Sequence, residues 1–292
     1  MTSARSARAR LTPRRAAAAL LALGLLAYAA ALVWLMSRET DLVFRAPAVL
    51  GEARPPFVHE EVQIPRADGA RQFGWTMPAE GGGATRPWLL FLHGNASSIA
   101  SRFNIDRYRE LRALGLNVLA PEYRGFAGLD GTPTEAGLAA DARAAFEYLT
   151  EERGVAPSRV VIYGWSLGSA VAVHLASGAR PGAVILEGAP ASVAGIGQQQ
   201  YPYFPIRLVM RNPFESIRRI DRVKAPLLFL HSPEDTIVPI AEGRALYQAA
   251  APPKRFVEVR GGHIRANEVD GPVFFGAIRE FLADHGLLER GE

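Results

Sequence analysis

Three kinds of hydrophobic spacing divide this chain. Residues 16–36 form an uncharged, overwhelmingly apolar run of 21 positions, about 31 Å long as a helix and enough to cross a hydrocarbon core. Residues 41–56 carry scattered prolines and few periodic apolar positions, and read as a linker. Beyond them, short apolar runs alternate with stretches of helical period to the end of the chain. Residues 57–64 and 71–76 alternate as two antiparallel strands around the turn signal Asp68-Gly69. Residues 80–86, with three consecutive glycines, form a surface loop, and 88–92 is a wholly apolar run of the kind that fills a strand buried on both faces.

From that point strands and helices alternate. Residues 117–120 make the next strand. A helix after it is expected to begin with a capping box, Thr132 as N-cap, Pro133 at N1 and Glu135 at N3. Its apolar face follows at Leu138, Ala142, Ala145, Phe146 and Leu149. Strands at 159–163, 183–186, 226–230 and 255–259 are interleaved with helices at 169–176, 239–250 and 272–284. The last helix turns Val273, Phe274, Ala277, Ile278 and Phe281 inward. Such alternation implies a mostly parallel sheet covered on both faces, with functional loops at the carboxyl ends of its strands.

Composition changes this picture little, but charge locates it. The 292 residues are 49% hydrophobic, enough for one sizeable α/β core. The formal charge is +4 and the pI about 9.6, yet Arg5, Arg8, Arg10, Arg14, Arg15 and Arg38 all precede residue 39, where no acidic residue occurs. Without those six, 27 basic side chains face 29 acidic ones. The body is therefore slightly acidic, which points to a membrane-flanking tail and away from a nucleic-acid surface. Five arginines ahead of the apolar run place the N-terminus in the cytoplasm and the body on the far side. A cleaved signal peptide competes, because Ala27-Tyr28-Ala29 and Ala29-Ala30-Ala31 resemble cleavage sites; Val33, Trp34 and Leu35 extend the run past both and favour an uncleaved anchor. With no cysteine, disulfides, thiolate metal sites and a cysteine nucleophile are excluded.

The chemistry centres on Gly164-Trp165-Ser166-Leu167-Gly168, set between a β-branched strand and a helix-like run. A serine between two glycines at a strand-to-helix turn is the pattern of a nucleophile elbow, in which side chains larger than hydrogen would collide with neighbouring backbone. A serine hydroxyl needs a base, ordinarily a histidine oriented by a carboxylate. Of six histidines, His59, His174 and His285 read as packing or surface residues, and His93 and His231 stand at strand ends. His263, in the loop before the last helix, occupies the place of the base in the order Ser, acid, His. Asp235, just past a buried strand, is the leading acid, with Glu234 and Glu187 as alternatives. The oxyanion needs two donors: the backbone N–H of Leu167 and that of Asn95, which Gly94 lets approach closely. No cofactor or metal is implied.

These motifs resemble the α/β-hydrolase superfamily, in particular its membrane-anchored branch related to serine-aminopeptidase-like and depalmitoylase-like hydrolases. The resemblance rests on His93-Gly94-Asn95, Tyr123-Arg124-Gly125-Phe126, residues 131–138, the elbow, Asp235 with Val238-Pro239, and Gly261-Gly262-His263. It implies an α/β-hydrolase fold with a mostly parallel central sheet, helices on both faces and a short cap after the sixth strand, preceded by one transmembrane helix. The expected divisions are a basic tail (1–15), a signal anchor (16–36), a linker (37–56) and a hydrolase domain (57–288) whose cap covers about 191–225. Two residues depart from the pattern: Leu129 stands where a serine is common, and Ser232 where a glycine often follows the histidine of the acid strand. The expected activity is cleavage of an ester, thioester or amide through an acyl-enzyme, acting on a small-molecule or lipid-like acyl substrate. Acyl transfer to an alcohol or amine uses the same first half-reaction, and a non-catalytic binding protein could use the same fold. The membrane is the one partner the sequence implies, through the N-terminal helix; neither nucleic acid nor an obligate protein partner is indicated.

Overall fold

A computed structural model describes residues 12–83 and 85–290. Residues 1–11, which include Arg5, Arg8 and Arg10 of the expected basic tail, lie outside the described residues. The chain divides into two compact units, Met1–Glu39 and Thr40–Glu292. In the first, helix α1 (Pro13–Ser37) runs for 25 residues. Proline at its first position is preorganised for a helix start and gives up only an N–H that would have no partner there. It is the one helix among the described residues long and apolar enough to cross a membrane. A short helix, α2 (Glu39–Val43), follows it in the chain.

The body is built on eight strands: β1 (Glu60–Pro65), β2 (Arg71–Met77), β3 (Trp88–Leu92), β4 (Asn117–Pro121), β5 (Val160–Trp165), β6 (Ala183–Glu187), β7 (Leu227–His231) and β8 (Lys254–Glu258). They form one sheet in the order β1-β2-β4-β3-β5-β6-β7-β8. The β1/β2 and β2/β4 pairs are antiparallel and all others parallel. Between and after the strands come α3 (Arg102–Ala113), α4 (Glu135–Glu147), α5 (Leu167–Ala176), α6 (Val193–Gln200), α7 (Ile206–Val209), α8 (Ile240–Ala249), α9 (Gly262–Val269) and α10 (Gly271–Asp284).

Period-two alternation sorts each central strand between two cores. Leu90, Leu92, Val160, Ile162, Val184, Leu186, Leu227 and Phe229 pack with Leu138 of α4, Val171 of α5 and Leu246 of α8. Their neighbours Leu89, Phe91, Val161, Tyr163, Ile185, Leu228 and Leu230 pack with Tyr108 and Leu111 of α3 and Phe274, Ile278 and Phe281 of α10. Because β4 and β5 lie on opposite sides of β3, the helices that follow β3 and β4 leave on opposite faces. The winding reverses at the carboxyl ends of β3 and β5, the position at which open α/β sheets bind their ligands.

Three local expectations change. Helix α4 is capped by Thr134 and not Thr132: the Thr134 hydroxyl accepts from the Gly137 N–H at 2.9 Å. The start is also fixed from outside the helix, since the Glu135 N–H donates to Asn212 Oδ1 at 2.8 Å. The segment holding His263 is the first turn of α9 and not a loop. The stretch read as a linker is also partly built into the body, because Phe44 is 3% exposed and meets the Phe214 ring edge-on at 5.9 Å.

Candidate active site

Ser166 occupies the turn between β5 and α5 with φ 55° and ψ −119°, a conformation costing a non-glycine residue about 1–3 kcal/mol. The surroundings hold it there. Its N–H donates to the Glu187 carbonyl at 2.8 Å, and the Ser169 hydroxyl lies 2.7 Å from Gly164 O and 3.0 Å from Glu187 O. Both flanking glycines are sterically required: a Cβ at Gly164 would sit 2.4 Å from Gly168 O, and one at Gly168 would sit 2.0 Å from Leu92 O.

The structure brings Ser166, His263 and Asp235 together in one hydrogen-bonded chain. Ser166 Oγ is 2.8 Å from His263 Nε2, and His263 Nδ1 is 2.6 Å from Asp235 Oδ2. The other Asp235 oxygen, Oδ1, accepts from the N–H groups of Ile237 and Val238 at 2.9 and 2.8 Å. Burial alone would raise the Asp235 carboxyl, but the bond and charge of His263 and these two N–H groups outweigh it and hold the pKa below the ordinary carboxylate value. Asp235 is therefore ionised at neutral pH, and it fixes the tautomer in which Nδ1 carries the proton and Nε2 faces the serine.

The alternative acids are engaged elsewhere. Glu187 receives Arg107 Nε and Nη2 at 3.0 and 2.6 Å and the Tyr163 hydroxyl. Glu234 accepts from the Gly261 N–H at 3.0 Å. Of the remaining histidines, His59 packs on Trp75, His285 on Phe281, and His231 donates from Nε2 to Val238 O at 2.8 Å beneath the acid loop.

Two sets of residues hold the site from outside, and of these the sequence did not single out Arg107 or Glu122. Behind the base, Arg107 Nη2 also donates to Ile264 O and the Trp165 indole N–H to His263 O, both at 3.1 Å. Ser232, the departure from the family pattern, accepts from the Gly262 N–H at 3.1 Å and so fixes the residue before His263. Below the loop from Gly94 to Ala96, His93 and Glu122 form a fully buried pair at 2.8 Å, while Glu122 Oε2 accepts from the Ile99 N–H at 3.1 Å. A buried carboxylate at the end of a strand was the available signal for both Glu122 and Glu187, because such a group requires partners.

Gly94 lies against the elbow: a Cβ there would be 2.8 Å from the Trp165 ring and 3.2 Å from Ser166 Cβ. The next residue's N–H and the first N–H of α5, at Leu167, are the two candidate oxyanion donors; as the opening residue of its helix, Leu167 has no intrahelical acceptor. After β6 the chain forms the short helices α6 and α7. Ser192 caps α6 by accepting from the Gly195 N–H at 2.9 Å, and Tyr203 and Leu208 are each 86% exposed. Among the described residues no cluster of side chains is arranged to bind a metal ion.

The fold and this geometry define a class, and sequence comparison gives the same one. A model of the alpha/beta hydrolase family matches residues 89–267, and the chain belongs to that family. An uncharacterized protein of Mycobacterium tuberculosis is 38% identical over 282 residues, covering 96% of this chain and 98% of its own. Lysophosphatidylserine lipase ABHD12 of Rattus norvegicus is 32% identical over 191 residues, 59% of this chain and 48% of that one, so the match spans about half of the lipase. Esterase Pf2001 of Pyrococcus furiosus shares the fold with a TM-score of 0.68 at 22% identity, over 82% of this chain and 98% of the esterase. Family membership and these neighbours support a hydrolase.

Proposed function

We propose that this chain is a membrane-anchored serine hydrolase that cleaves an ester, thioester or amide of a lipid-like or small acyl substrate through an acyl-enzyme on Ser166. The observation that carries the reading is the continuous chain from Ser166 Oγ through His263 to Asp235, at 2.8 and 2.6 Å, with the serine raised on a strained turn. Ser166 Oγ attacks the carbonyl carbon while its proton passes to His263 Nε2. The carbonyl oxygen becomes an oxyanion and is stabilised by the N–H groups of Leu167 and Asn95. Collapse of the tetrahedral adduct breaks the bond to the leaving group, which takes the proton from His263. Water then gives a proton to the same nitrogen, attacks the acyl carbon and releases the acid, restoring the serine. Asp235 stays ionised throughout and stabilises the imidazolium formed in each half.

Residues 16–36, within α1, are read as the anchor, on the length and apolar character of that helix, and the arginines before residue 16 favour a cytoplasmic N-terminus. A lipid-like substrate fits that anchor and the lipase among the relatives. The test is labelling of the full-length protein with a fluorophosphonate, together with turnover of a panel of acyl esters and thioesters. Ser166→Ala should abolish labelling and lower kcat by about 10⁶-fold while leaving the fold intact. Labelling that persists in the variant would refute the assignment.

A further inference from the structure

We infer that residues 43–47, which precede the sheet, are a working part of the active site: the Asn95 side chain clips them to the oxyanion loop and so positions its own backbone N–H. The inference rests on the hydrolase reading above and adds to it a positioning element that lies outside the family match at 89–267.

The clip uses both ends of the Asn95 amide. Asn95 Nδ2 donates to Val43 O at 2.6 Å, and Asn95 Oδ1 accepts from the Arg45 N–H at 2.8 Å and the Ala96 N–H at 2.9 Å. The amide orientation follows from chemistry, since only nitrogen can donate to a carbonyl and only oxygen can accept from two N–H groups. Two further ties bind the segment to the body. The Ala127 N–H donates to Pro47 O at 2.7 Å, and buried Phe44 packs edge-on against Phe214.

Ala96 shows why such a clip is needed. Its φ is 52°, in the left-handed region that non-glycine residues seldom adopt, so the loop will not hold this shape unaided. The bond from the Ala96 N–H to Asn95 Oδ1 closes the turn, and the two bonds to residues 43 and 45 fix the side chain that closes it. On its other side the same loop is pressed on Trp165 and Ser166 through Gly94. The peptide carrying the Asn95 N–H is thus held between the nucleophile and the segment that enters the body from α1. Aspartate would keep the acceptor but lose the bond to Val43 O and bring negative charge beside a developing oxyanion. Alanine would lose all three bonds.

The experiment uses the full-length protein and compares Asn95→Ala with Arg45→Pro, which removes the N–H that the Asn95 oxygen receives along with the arginine side chain and restricts the backbone at 44 and 45. Measured quantities are kcat, KM, the melting temperature, and affinity for a trifluoromethyl ketone, whose adduct with Ser166 carries the oxyanion. Both variants should remain folded, lose about 10- to 100-fold in kcat with KM nearly unchanged, and lose ketone affinity by the same factor. Arg45→Ala keeps the N–H and should lose less than Arg45→Pro. A purely structural role would lower the melting temperature and leave ketone affinity untouched. If Arg45→Pro does not fold, the α-hydroxy acid analogue of arginine placed at 45 removes the same N–H by an ester linkage and takes its place in the comparison. Folded variants with wild-type kcat and ketone affinity overturn the inference while Ser166 labelling still upholds the hydrolase reading. An impaired Asn95→Ala beside an unimpaired Arg45→Pro overturns the part given to residues 43–47. A wild-type protein that neither labels nor binds the ketone brings down both.

Discussion

The turn that carries His263 is held by buried charge contributed from within the α/β body, whereas the loop from Gly94 to Ala96 is held in part by a segment that comes before the sheet. Behind His263, Arg107 and Glu187 form a bidentate pair with side chains 0% and 4% exposed, and Arg107 reaches past it to Ile264 O. Burial would lower the Arg107 pKa, but the charges of Glu187 and Tyr163 and the hydrogen bonds to them together outweigh it and raise the pKa, so the guanidinium stays charged. The same burial, reinforced by the Glu187 charge, pushes the Tyr163 hydroxyl well above its usual range. Beside the nucleophile, by contrast, the Asn95 amide exchanges three hydrogen bonds with backbone at residues 43, 45 and 96. On the proposed mechanism a base must rotate little and exchange protons many times, so a rigid charged brace suits His263. The oxyanion donor has only to point, and neutral backbone bonds suffice.

The largest effect expected from breaking the base side is on chemistry. Asp235→Asn should leave a folded protein whose kcat falls by roughly 10⁴, because the amide no longer enforces the tautomer with its proton on Nδ1. Glu234→Gln should cost far less, since Glu234 touches only the Gly261 N–H. Steady-state kinetics on one soluble ester separates the two, and a crippled Glu234→Gln beside an active Asp235→Asn would reverse the assignment of the acid.

The next effect is on stability. Arg107→Met leaves the Glu187 carboxylate buried without its partner and should destabilise the body by about 3–5 kcal/mol in denaturant unfolding. Adding Glu187→Gln should recover part of that loss, because a neutral amide is less costly to bury than an unpaired charge. Equal stabilities for the single and double variants would mean that the pair does not brace this region.

Much of this was legible beforehand, and the reasons differ by element. The elbow could be read because steric demand dictates its glycines, Asp235 because it follows a buried strand of apolar residues, and His263 because it follows a glycine pair between the last strand and the last helix. Helix α3 was not seen. Its stripe Ile105, Tyr108 and Leu111 is buried, but Arg102, Arg107, Arg109 and Arg112 surround it and make the segment look polar. Arg107 is itself in the core, where Glu187 neutralises it; pattern alone cannot pair two residues 80 positions apart. Residues 43–47 read as linker for a related reason. Their bonds to the body run through backbone groups, which every sequence possesses, and only the long-range partner Asn95 reveals them. The capping residue of α4 lies two positions later than the local motif suggests, where the Thr134 hydroxyl accepts from Gly137 and the distant Asn212 accepts from the Glu135 N–H.

The smallest effect distinguishes the two sides by pH. His231 lies under the acid loop with Nε2 3.6 Å from Asp235 Oδ2, and the backbone of α8 presses on its ring, since a Cβ at Gly243 would come within 2.2 Å of Nδ1. Burial lowers its pKa despite the bond to Val238 O and the charge of Asp235. A histidine whose folded pKa is depressed contributes stability that is fully present above its unfolded pKa, near 6.5. As pH falls below that value the unfolded chain takes up the proton first, so stability declines, by at most about 1.4 kcal/mol per pH unit for one proton. Asp235 acts lower, its contribution fading only as pH falls from the usual carboxylate value through its own depressed pKa. His174, also depressed by burial and by Arg219 and Arg143, adds to the decline from the far end of α5. Melting curves between pH 7.5 and 5 should therefore show wild-type stability falling, and His231→Gln, whose amide can still reach Val238 O, should fall less steeply. Asn95→Ala, on the opposite side of Ser166, should keep the wild-type slope. If His231→Gln and wild type fall in parallel, the acid loop does not rest on a neutral histidine.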